Sequence, residues 1–168
     1  MNKTIRVALV ALLCVGAAAC SKKQEVKPQP QPEPQPMTQP APTSNKFTPA
    51  DLDTDACLRQ RVVYFDFDKD VIRPEFEQIM QCHAKYLQDR PMAAIRLEGH
   101  TDERGTREYN LGLGERRGNA VSNALQANGG SASQLSVISY GKEKPVCREH
   151  NEDCWSKNRR VEIVYTAK

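Results

Sequence analysis

The sequence predicts an α+β domain, arranged as an α/β sandwich, over residues 52–168. Short β-rich segments alternate with helical patterns along this stretch, and Gly, Pro and Asn separate them. A length of about 115 residues suits a single hydrophobic core. The predicted order of elements is βαβαβ(α)β, in which the helix in brackets has no assigned bounds.

The first half of the domain is predicted to be strand, loop, helix and strand. Residues 61–65 form a short β-rich strand, and residues 66–73 form a charged loop. Pro74 stands at a first helical position, and Pro91 lies just beyond the end of this helix. Residues 94–99 alternate between apolar and polar side chains and form the second strand. The apolar stripe of the helix consists of Phe76, Ile79, Met80, His83 and Leu87.

The second half begins with a long helix. Thr106 is a suitable N-cap, and an apolar pattern runs to Leu125, so a helix is predicted over residues 106–126. Residues 128–130 carry the Asn and Gly that end a helix. Residues 135–140 form the third strand, and residues 161–166 form the fourth.

Two ionic side chains stand where packing alone would not place them. At about 100° per residue, Arg117 falls within the core-facing stripe of the long helix, whereas Arg116 points toward solvent. A buried cation is costly unless an anion accompanies it. The candidate anion is the carboxylate of Asp102, just past the second strand.

Two interpretations of this pair remain open from the residues alone. Asp102 and Arg117 could form a structural salt bridge with no ligand. Alternatively, Arg117 could bind a carboxylate and Asp102 an ammonium group, each contact contributing roughly 1.5–3 kcal/mol. Such a divided pocket would suit an amino acid.

The same residues form a motif that resembles the peptidoglycan-binding motif of OmpA-like domains. The resemblance extends over about residues 61–165 and includes separate blocks at 63–68, 139–142 and 156–160. It implies a mixed four-stranded sheet with helices packed on one side. The motif itself reads Asn110-x-x-Leu113-Gly114-x-x-Arg117-Gly118-x-x-Val121, preceded by Gly99-His100-Thr101-Asp102.

The resemblance also implies a ligand. Asp102 and Arg117 would hold the diaminopimelate of the peptidoglycan stem peptide, and the loop after the first strand would line the same pocket. The predicted peptidoglycan-binding residues are Asp102, Arg117, Phe67, Asp68, Asn110 and Arg104.

Some of these residues have simpler interpretations. A Phe after a strand, such as Phe67, is usually a core residue, and Asp68 could belong to a solvated turn. Arg104 could pair with Glu103 or Glu108.

Two glycines depart from the commoner family pattern. Gly114 and Gly118 stand where many members have Ser or Ala. Each costs a helix up to about 1 kcal/mol relative to Ala, so a looser helix is expected.

Residues 1–19 predict a lipoprotein signal peptide. Lys3 and Arg6 precede an apolar run at residues 7–15, which is too short to span a bilayer. Small residues lead from there to Cys20, as in the cleavage site of bacterial lipoproteins. The alternative is an ordinary secreted protein with a free thiol at Cys20.

Acylation of Cys20 would anchor the chain to the membrane. In bacterial lipoproteins, a Ser rather than an Asp after the acylated Cys is associated with sorting to the outer membrane. Ser21 fits this pattern, so the domain is expected to face the periplasm. Residues 20–46 form a Pro/Gln-rich tether that contains seven of the eleven prolines. This tether is expected to be extended, at roughly 3.1 Å per residue, and to form no core.

Four cysteines remain within the domain, and an even count in an exported chain predicts two disulfides. Cys147 and Cys154 are close in sequence, which would leave Cys57 to pair with Cys82, although three pairings are possible. A metal site of Cys147, His150 and Cys154 is the alternative. Its spacing matches no standard zinc pattern, so no metal is predicted.

Other functions find little support. Without residues 1–19 the chain has 22 basic and 21 acidic residues, a balance that argues against nucleic-acid binding. No nucleophile has a matched base nearby in sequence, so neither an enzyme nor a cofactor is predicted. The lipid-anchored members of the OmpA-like family imply the Tol system of envelope integrity and cell division, with TolB and TolA as partners. A wall-stapling lipoprotein outside that system is the alternative.

Overall fold

A mixed four-stranded sheet is the frame of the domain. The structure is a computed structural model that describes residues 46–168. Its strands are Val62–Tyr64 (β1), Ala94–His100 (β2), Leu135–Gly141 (β3) and Arg160–Ala167 (β4), in the order β1-β4-β2-β3. β2 and β3 are parallel, and β4 is antiparallel to both β1 and β2. The predicted α+β class with a mixed four-stranded sheet is confirmed.

Four α-helices accompany the sheet. They are Asp51–Thr54 (α1), Glu77–Asp89 (α2), Arg107–Ala127 (α3) and Glu152–Asn158 (α4). Short 3₁₀ helices at Pro74–Phe76 and Ala132–Gln134 precede α2 and β3. Thr106 caps α3 as predicted, since its side-chain oxygen accepts a hydrogen bond from the Tyr109 amide at 3.2 Å. The signal peptide, Cys20 and the tether up to residue 45 lie outside the described residues, so their assignments stay predictions.

The core lies between one face of the sheet and the two long helices. Of the apolar stripe predicted for the first helix, Ile79, Met80, His83 and Leu87 are buried on α2, whereas Phe76 lies in the preceding 3₁₀ helix and is only partly buried. The sheet contributes Val63, Ile95, Leu97, Val161 and Ile163, and the helices contribute Ile79, Met80, Leu87, Val121 and Leu125.

Glycines let α3 lie unusually close to β2 and β3. A Cβ atom on Gly99 would stand 2.0 Å from the carbonyl oxygen of Gly114, and one on Gly114 would stand 2.3 Å from Oγ of Ser139. A Cβ on Gly118 would meet Val137 at 2.5 Å. Gly114 and Gly118 therefore reduce helix propensity but permit this contact, so the structure shows a closely packed helix where the sequence suggested a loose one.

Two disulfides cross-link separate parts of the domain. Cys57 pairs with Cys82 on α2, and Cys147 pairs with Cys154 on α4. This is the pairing that the sequence favoured. The alternative, a metal site of Cys147, His150 and Cys154, is wrong, because the two cysteines form a disulfide with each other.

His83 is a core residue, as its place in the apolar stripe predicted. It has no exposed surface, and its ring contacts the Tyr165 hydroxyl at 2.7 Å and the Gln60 carbonyl oxygen at 3.0 Å. Burial lowers the pKa of His83 to about 4, although the hydrogen bond with Gln60 opposes this shift. His83 is therefore neutral at pH 7.

Adding one methyl group to β2 should destabilise the domain. Gly99→Ala should lower the free energy of unfolding by about 2–3 kcal/mol, because the new Cβ meets backbone that cannot move cheaply. Gly112→Ala is the matched control on α3, where the Cβ meets only the Arg116 guanidinium at 3.5 Å. It should raise stability by about 0.5–1 kcal/mol. Urea denaturation measures both, and equal effects would contradict this packing.

Acidification should weaken the fold through His83. The pKa of His83 is about 4 when folded, below the unfolded value near 6.5, so the unfolded chain binds more protons between these values. Lowering the pH from 7 to 5 should reduce the free energy of unfolding by about 2 kcal/mol through protonation of His83 in the unfolded chain. Urea denaturation of His83→Gln should show a shallower pH dependence. His150→Gln should not flatten the pH dependence, because Glu103 raises the pKa of His150 and this shift opposes that of His83.

Candidate binding site

A cleft of about 190 Å³ opens between the first turns of α3 and the loops that follow β1 and β2. All six residues that were predicted to bind peptidoglycan line it, although they come from three separate segments of the chain. The structure thus brings these residues together, while their contact with a ligand stays a prediction. The lining residues are Phe67, Asp68, Thr101, Asp102, Arg104, Gly105, Tyr109, Asn110, Leu113 and Arg117.

Arg117 lies at the base of the cleft and is fully buried, with 0% of its surface exposed. Each of its guanidinium nitrogens donates to a backbone carbonyl oxygen: Nε to Lys69 at 2.8 Å, Nη1 to His100 at 2.9 Å and Nη2 to Asp66 at 3.0 Å. The neighbouring Arg116 is exposed and pairs with an aspartate at 3.4 Å. The helical phase therefore predicted the orientation of both arginines correctly.

The first of the two interpretations of this pair, a structural salt bridge between Asp102 and Arg117, is wrong: among the described residues Asp102 pairs with Arg104 and Arg159. Three backbone carbonyl oxygens satisfy Arg117 in place of a carboxylate. Burial and, to a smaller extent, the positive charge of Arg159 lower the pKa of Arg117 to about 10. Arg117 nevertheless remains a cation at neutral pH.

Asp102 is 3% exposed and is held by two other arginines. Its Oδ1 accepts from the backbone amide and Nε of Arg104 at 3.1 and 3.2 Å. Its Oδ2 accepts from Nη2 of Arg104 at 2.6 Å and from Nη1 of Arg159 at 3.3 Å. Burial acts to raise the pKa of Asp102, but the hydrogen bonds from Arg104 outweigh it, so the pKa is lowered. Asp102 is therefore a carboxylate at neutral pH.

The simpler interpretation of Arg104, an ion pair with Glu103 or Glu108, is wrong. Neither Glu103 nor Glu108 takes this guanidinium, which binds Asp102 and lies 3.7 Å from a carboxylate oxygen of Glu152. Glu152 lies on α4, 48 positions after Arg104 in the sequence. Only the folded chain could reveal such a contact.

Two aromatic rings enclose the guanidinium of Arg104. The Phe67 ring centroid lies 3.9 Å from its central carbon, and the Trp155 ring lies 4.2 Å away. Phe67 is 54% exposed, so its simpler interpretation as a core residue is wrong. Trp155 was missed because it lies far along the chain on α4, and its only signal was a single Trp beside the family block at 156–160.

Asp68 and Tyr109 form one wall of the cleft. The backbone of Asp68 adopts a left-handed conformation with φ of 56°, and its carboxylate accepts a hydrogen bond from the Tyr109 hydroxyl. This hydrogen bond raises the pKa of Tyr109. Asp68 is thus held toward the cleft rather than being a free turn residue.

Asn110 shapes the cleft from below. It is 2% exposed, and its side-chain amide donates to the carbonyl oxygens of Arg104 at 2.8 Å and Thr106 at 3.0 Å. The amide nitrogen therefore holds the loop that carries Asp102 and Arg104 against α3.

Residues 46–168 contain one group of side chains with metal-ligating types, Glu98, His100 and Glu162, whose ligand atoms lie within 4.8 Å of one another. Both carboxylates already accept hydrogen bonds from arginines at 2.7 Å, Glu98 from Arg96 and Glu162 from Arg160. Their charges are balanced within the sheet, so the two carboxylates belong to an ion-pair network.

Comparison with known families decides the class of this domain. The profile of the OmpA family matches residues 64–159, which include the whole cleft and strands β2 and β3. The chain belongs to the OmpA family. Members of this family are binding domains rather than enzymes, in agreement with the sequence prediction.

Individual relatives of this OmpA-family chain share a name. The peptidoglycan-associated lipoprotein of Haemophilus influenzae is 41% identical over 165 residues, which cover 98% of this chain and 100% of that protein. The peptidoglycan-associated lipoprotein of Pasteurella multocida is 49% identical over 107 residues, 64% of this chain and 71% of that protein.

Solved structures agree with the OmpA-like fold. The peptidoglycan-associated lipoprotein of Burkholderia pseudomallei superposes with a TM-score of 0.67 at 45% identity, covering 68% of this chain and 97% of that one. The C-terminal domain of Helicobacter pylori MotB has a TM-score of 0.58 at 25% identity, covering 63% and 83%. Within residues 46–168, each helix is too short or too polar to cross a membrane.

Removing the buried guanidinium should unfold or greatly weaken the domain. Arg117→Met should lower the free energy of unfolding by about 3–5 kcal/mol, because three carbonyl oxygens lose their donors. Arg116→Met, one position away on the solvent side, should change it by less than about 0.5 kcal/mol. Urea denaturation of the two variants makes the comparison, and similar values would disprove the structural role of Arg117.

Proposed function

We propose that this chain is an outer-membrane lipoprotein that binds peptidoglycan noncovalently, with the cleft of its OmpA-like domain receiving diaminopimelate from the stem peptide. Relatives from two bacteria with 41% and 49% identity are named as peptidoglycan-associated lipoproteins, and the first covers 98% of this chain. Their names support association with peptidoglycan, and the chemistry of the cleft supports the choice of ligand group.

One observation carries the ligand assignment: a carboxylate and a guanidinium lie side by side in a small cleft. Asp102 offers negative charge to an ammonium group, and Arg104 and the deeper Arg117 supply positive charge for a carboxylate. The free end of diaminopimelate carries these two groups on one carbon atom. A cleft with two fixed opposite charges is therefore more complementary to the end of diaminopimelate than to a neutral sugar.

The size of the cleft agrees with a small ligand group. A volume of about 190 Å³ is below the roughly 300–1,000 Å³ that is typical of pockets for drug-sized molecules. The cleft would therefore admit one amino-acid end, while the rest of the stem peptide and the glycan would remain outside it.

Anchoring makes a weak site sufficient. Under this proposal Cys20 is acylated after removal of residues 1–19, and residues 20–46 span the distance from the membrane to the wall. A tether confines the domain near a repeated ligand, so that effective concentration compensates for modest affinity. The domain would then join outer membrane and wall from the periplasmic side.

The cellular setting is proposed to be the Tol system, which acts in envelope integrity and cell division. TolB, and also TolA, would be partners, with TolB competing with the wall for the domain. The alternative is a lipoprotein that staples the wall outside this system. Affinity capture of the full-length lipoprotein from envelope extracts would decide, since recovery of TolB favours the first and its absence favours the second.

A defined ligand tests the central proposal. Asp102→Ala should weaken binding of the tripeptide L-Ala-γ-D-Glu-meso-diaminopimelate at least about tenfold, the effect of one lost charge-assisted contact. Asp153→Ala removes an exposed carboxylate from α4 outside the cleft and should leave the affinity unchanged. Isothermal titration calorimetry on the folded domain provides the measurement. Wild-type protein that fails to bind the tripeptide would refute the proposed ligand.

A further inference from the structure

Three side chains that can ligate a metal ion meet on the face of the sheet that lies opposite the core. Leu97 and Ile163 point into the core. Because side chains alternate along a strand, the next residue on β2, Glu98, and the preceding residue on β4, Glu162, point to the other face. His100 lies two positions after Glu98 and shares its face. One ligand atom from each of the three residues lies within 4.8 Å of the other two.

His100 is the member of this group whose polar atoms are unsatisfied. Its side chain is 2% exposed, and neither ring nitrogen has a hydrogen-bond partner among residues 46–168. A buried polar group without a partner is costly, and a bound ion is one explanation for such a group. The Tyr140 ring stacks on the imidazole with centroids 5.4 Å apart. This contact covers a face of the imidazole and leaves its edge, which carries both nitrogens, for another partner.

The distance between His100 and Glu162 suits two ligands of one ion. Nε2 of His100 lies 3.9 Å from Oε1 of Glu162, which is too long for a hydrogen bond. With zinc–nitrogen and zinc–oxygen distances of about 2.0–2.2 Å, two ligand atoms of a tetrahedral ion lie about 3.4 Å apart. The Glu162 side chain is 34% exposed, so a small rotation of this side chain could close the remaining gap.

The two carboxylates face each other across neighbouring strands. Glu98 and Glu162 are register partners on β2 and β4, and like charges in this position repel each other. Arg96 and Arg160 reduce the repulsion, and each donates a hydrogen bond to Oε1 of one glutamate at 2.7 Å. Within the described part of the chain, Oε2 of both glutamates accepts no hydrogen bond. Each carboxylate therefore keeps acceptor positions for a further cation.

The chemistry of the three side chains indicates the class of ion. Burial lowers the pKa of His100 to about 4, and the positive charge of Arg160 also lowers it. The imidazole is therefore neutral at pH 7, as a metal ligand must be. An imidazole with two carboxylates is a common ligand set for Zn²⁺, whereas Mg²⁺ and Ca²⁺ prefer oxygen ligands alone.

We propose that Glu98, His100 and Glu162 form a binding site for one divalent transition-metal ion of the Zn²⁺ type. One histidine nitrogen and an oxygen from each carboxylate would be the three protein ligands, and water would complete the tetrahedron. Arg96 and Arg160 would keep their hydrogen bonds to the same carboxylates and orient them. The ion would join β2 to β4 on the face opposite the core, and this site is independent of the ligand in the cleft.

Zinc binding to the full chain tests the proposal. The chain is purified in detergent without a histidine tag, with Cys14→Ser and Cys20→Ser so that no free thiol competes for the ion. Isothermal titration calorimetry at pH 7 should show one Zn²⁺ bound per chain. His100→Gln and Glu162→Gln should each weaken this binding at least about tenfold, since even the loss of an outer partner of a metal ligand has that effect.

A matched variant separates this site from incidental binding of zinc. His150→Gln removes an exposed histidine that contacts Glu103, and it should leave the affinity for Zn²⁺ unchanged. The proposal is wrong if the wild-type chain binds no Zn²⁺, if both site variants bind it as tightly as wild type, or if His150→Gln abolishes binding. Circular dichroism checks the fold of each variant. Should His100→Gln not fold, the affinity of Glu162→Gln decides alone.

Discussion

The buried guanidinium of Arg117 is the interaction on which the rest of the site depends. It binds carbonyl oxygens at Asp66, Lys69 and His100, so a single side chain from α3 joins the loop after β1 to the end of β2. Hydrogen bonds from a charged donor contribute roughly 1.5–3 kcal/mol each, which offsets the cost of burying the charge. Without this contact, the loop after β1 and the end of β2 would lose their shared buried anchor on α3.

Because Arg117 is occupied by backbone, other residues control the charge at the mouth of the cleft. Arg104 and Arg159 neutralise Asp102, and Trp155 packs against Arg104. Both Trp155 and Arg159 follow Cys154, whose disulfide with Cys147 staples a helix of only seven residues. A helix this short has little stability of its own, so the disulfide helps to keep these side chains in place.

Much of the fold could be predicted from local sequence patterns. The period of 3.6 residues in α3 separated Arg117 from Arg116, and a Thr before that helix marked its start. The contacts within the site were less predictable. The simpler interpretation of Arg104 paired it with a neighbouring glutamate, yet it binds Asp102 and contacts the rings of Phe67 and Trp155, which are 37 and 51 positions away. Phe67, whose simpler interpretation was a core residue, is half exposed and contacts Arg104.

The sequence by itself determined the class of fold and the inward direction of Arg117, because periodicity and caps act over a few neighbouring residues. The six residues predicted to bind a ligand came instead from the resemblance to OmpA-like domains. Only the tertiary structure decided which charges meet. Glycines at 99, 114 and 118 let α3 approach the sheet so closely that its guanidinium reaches backbone carbonyls instead of a carboxylate. Ion pairing depends on distances of a few ångströms between segments that lie far apart in sequence, and only close packing of the whole chain sets those distances.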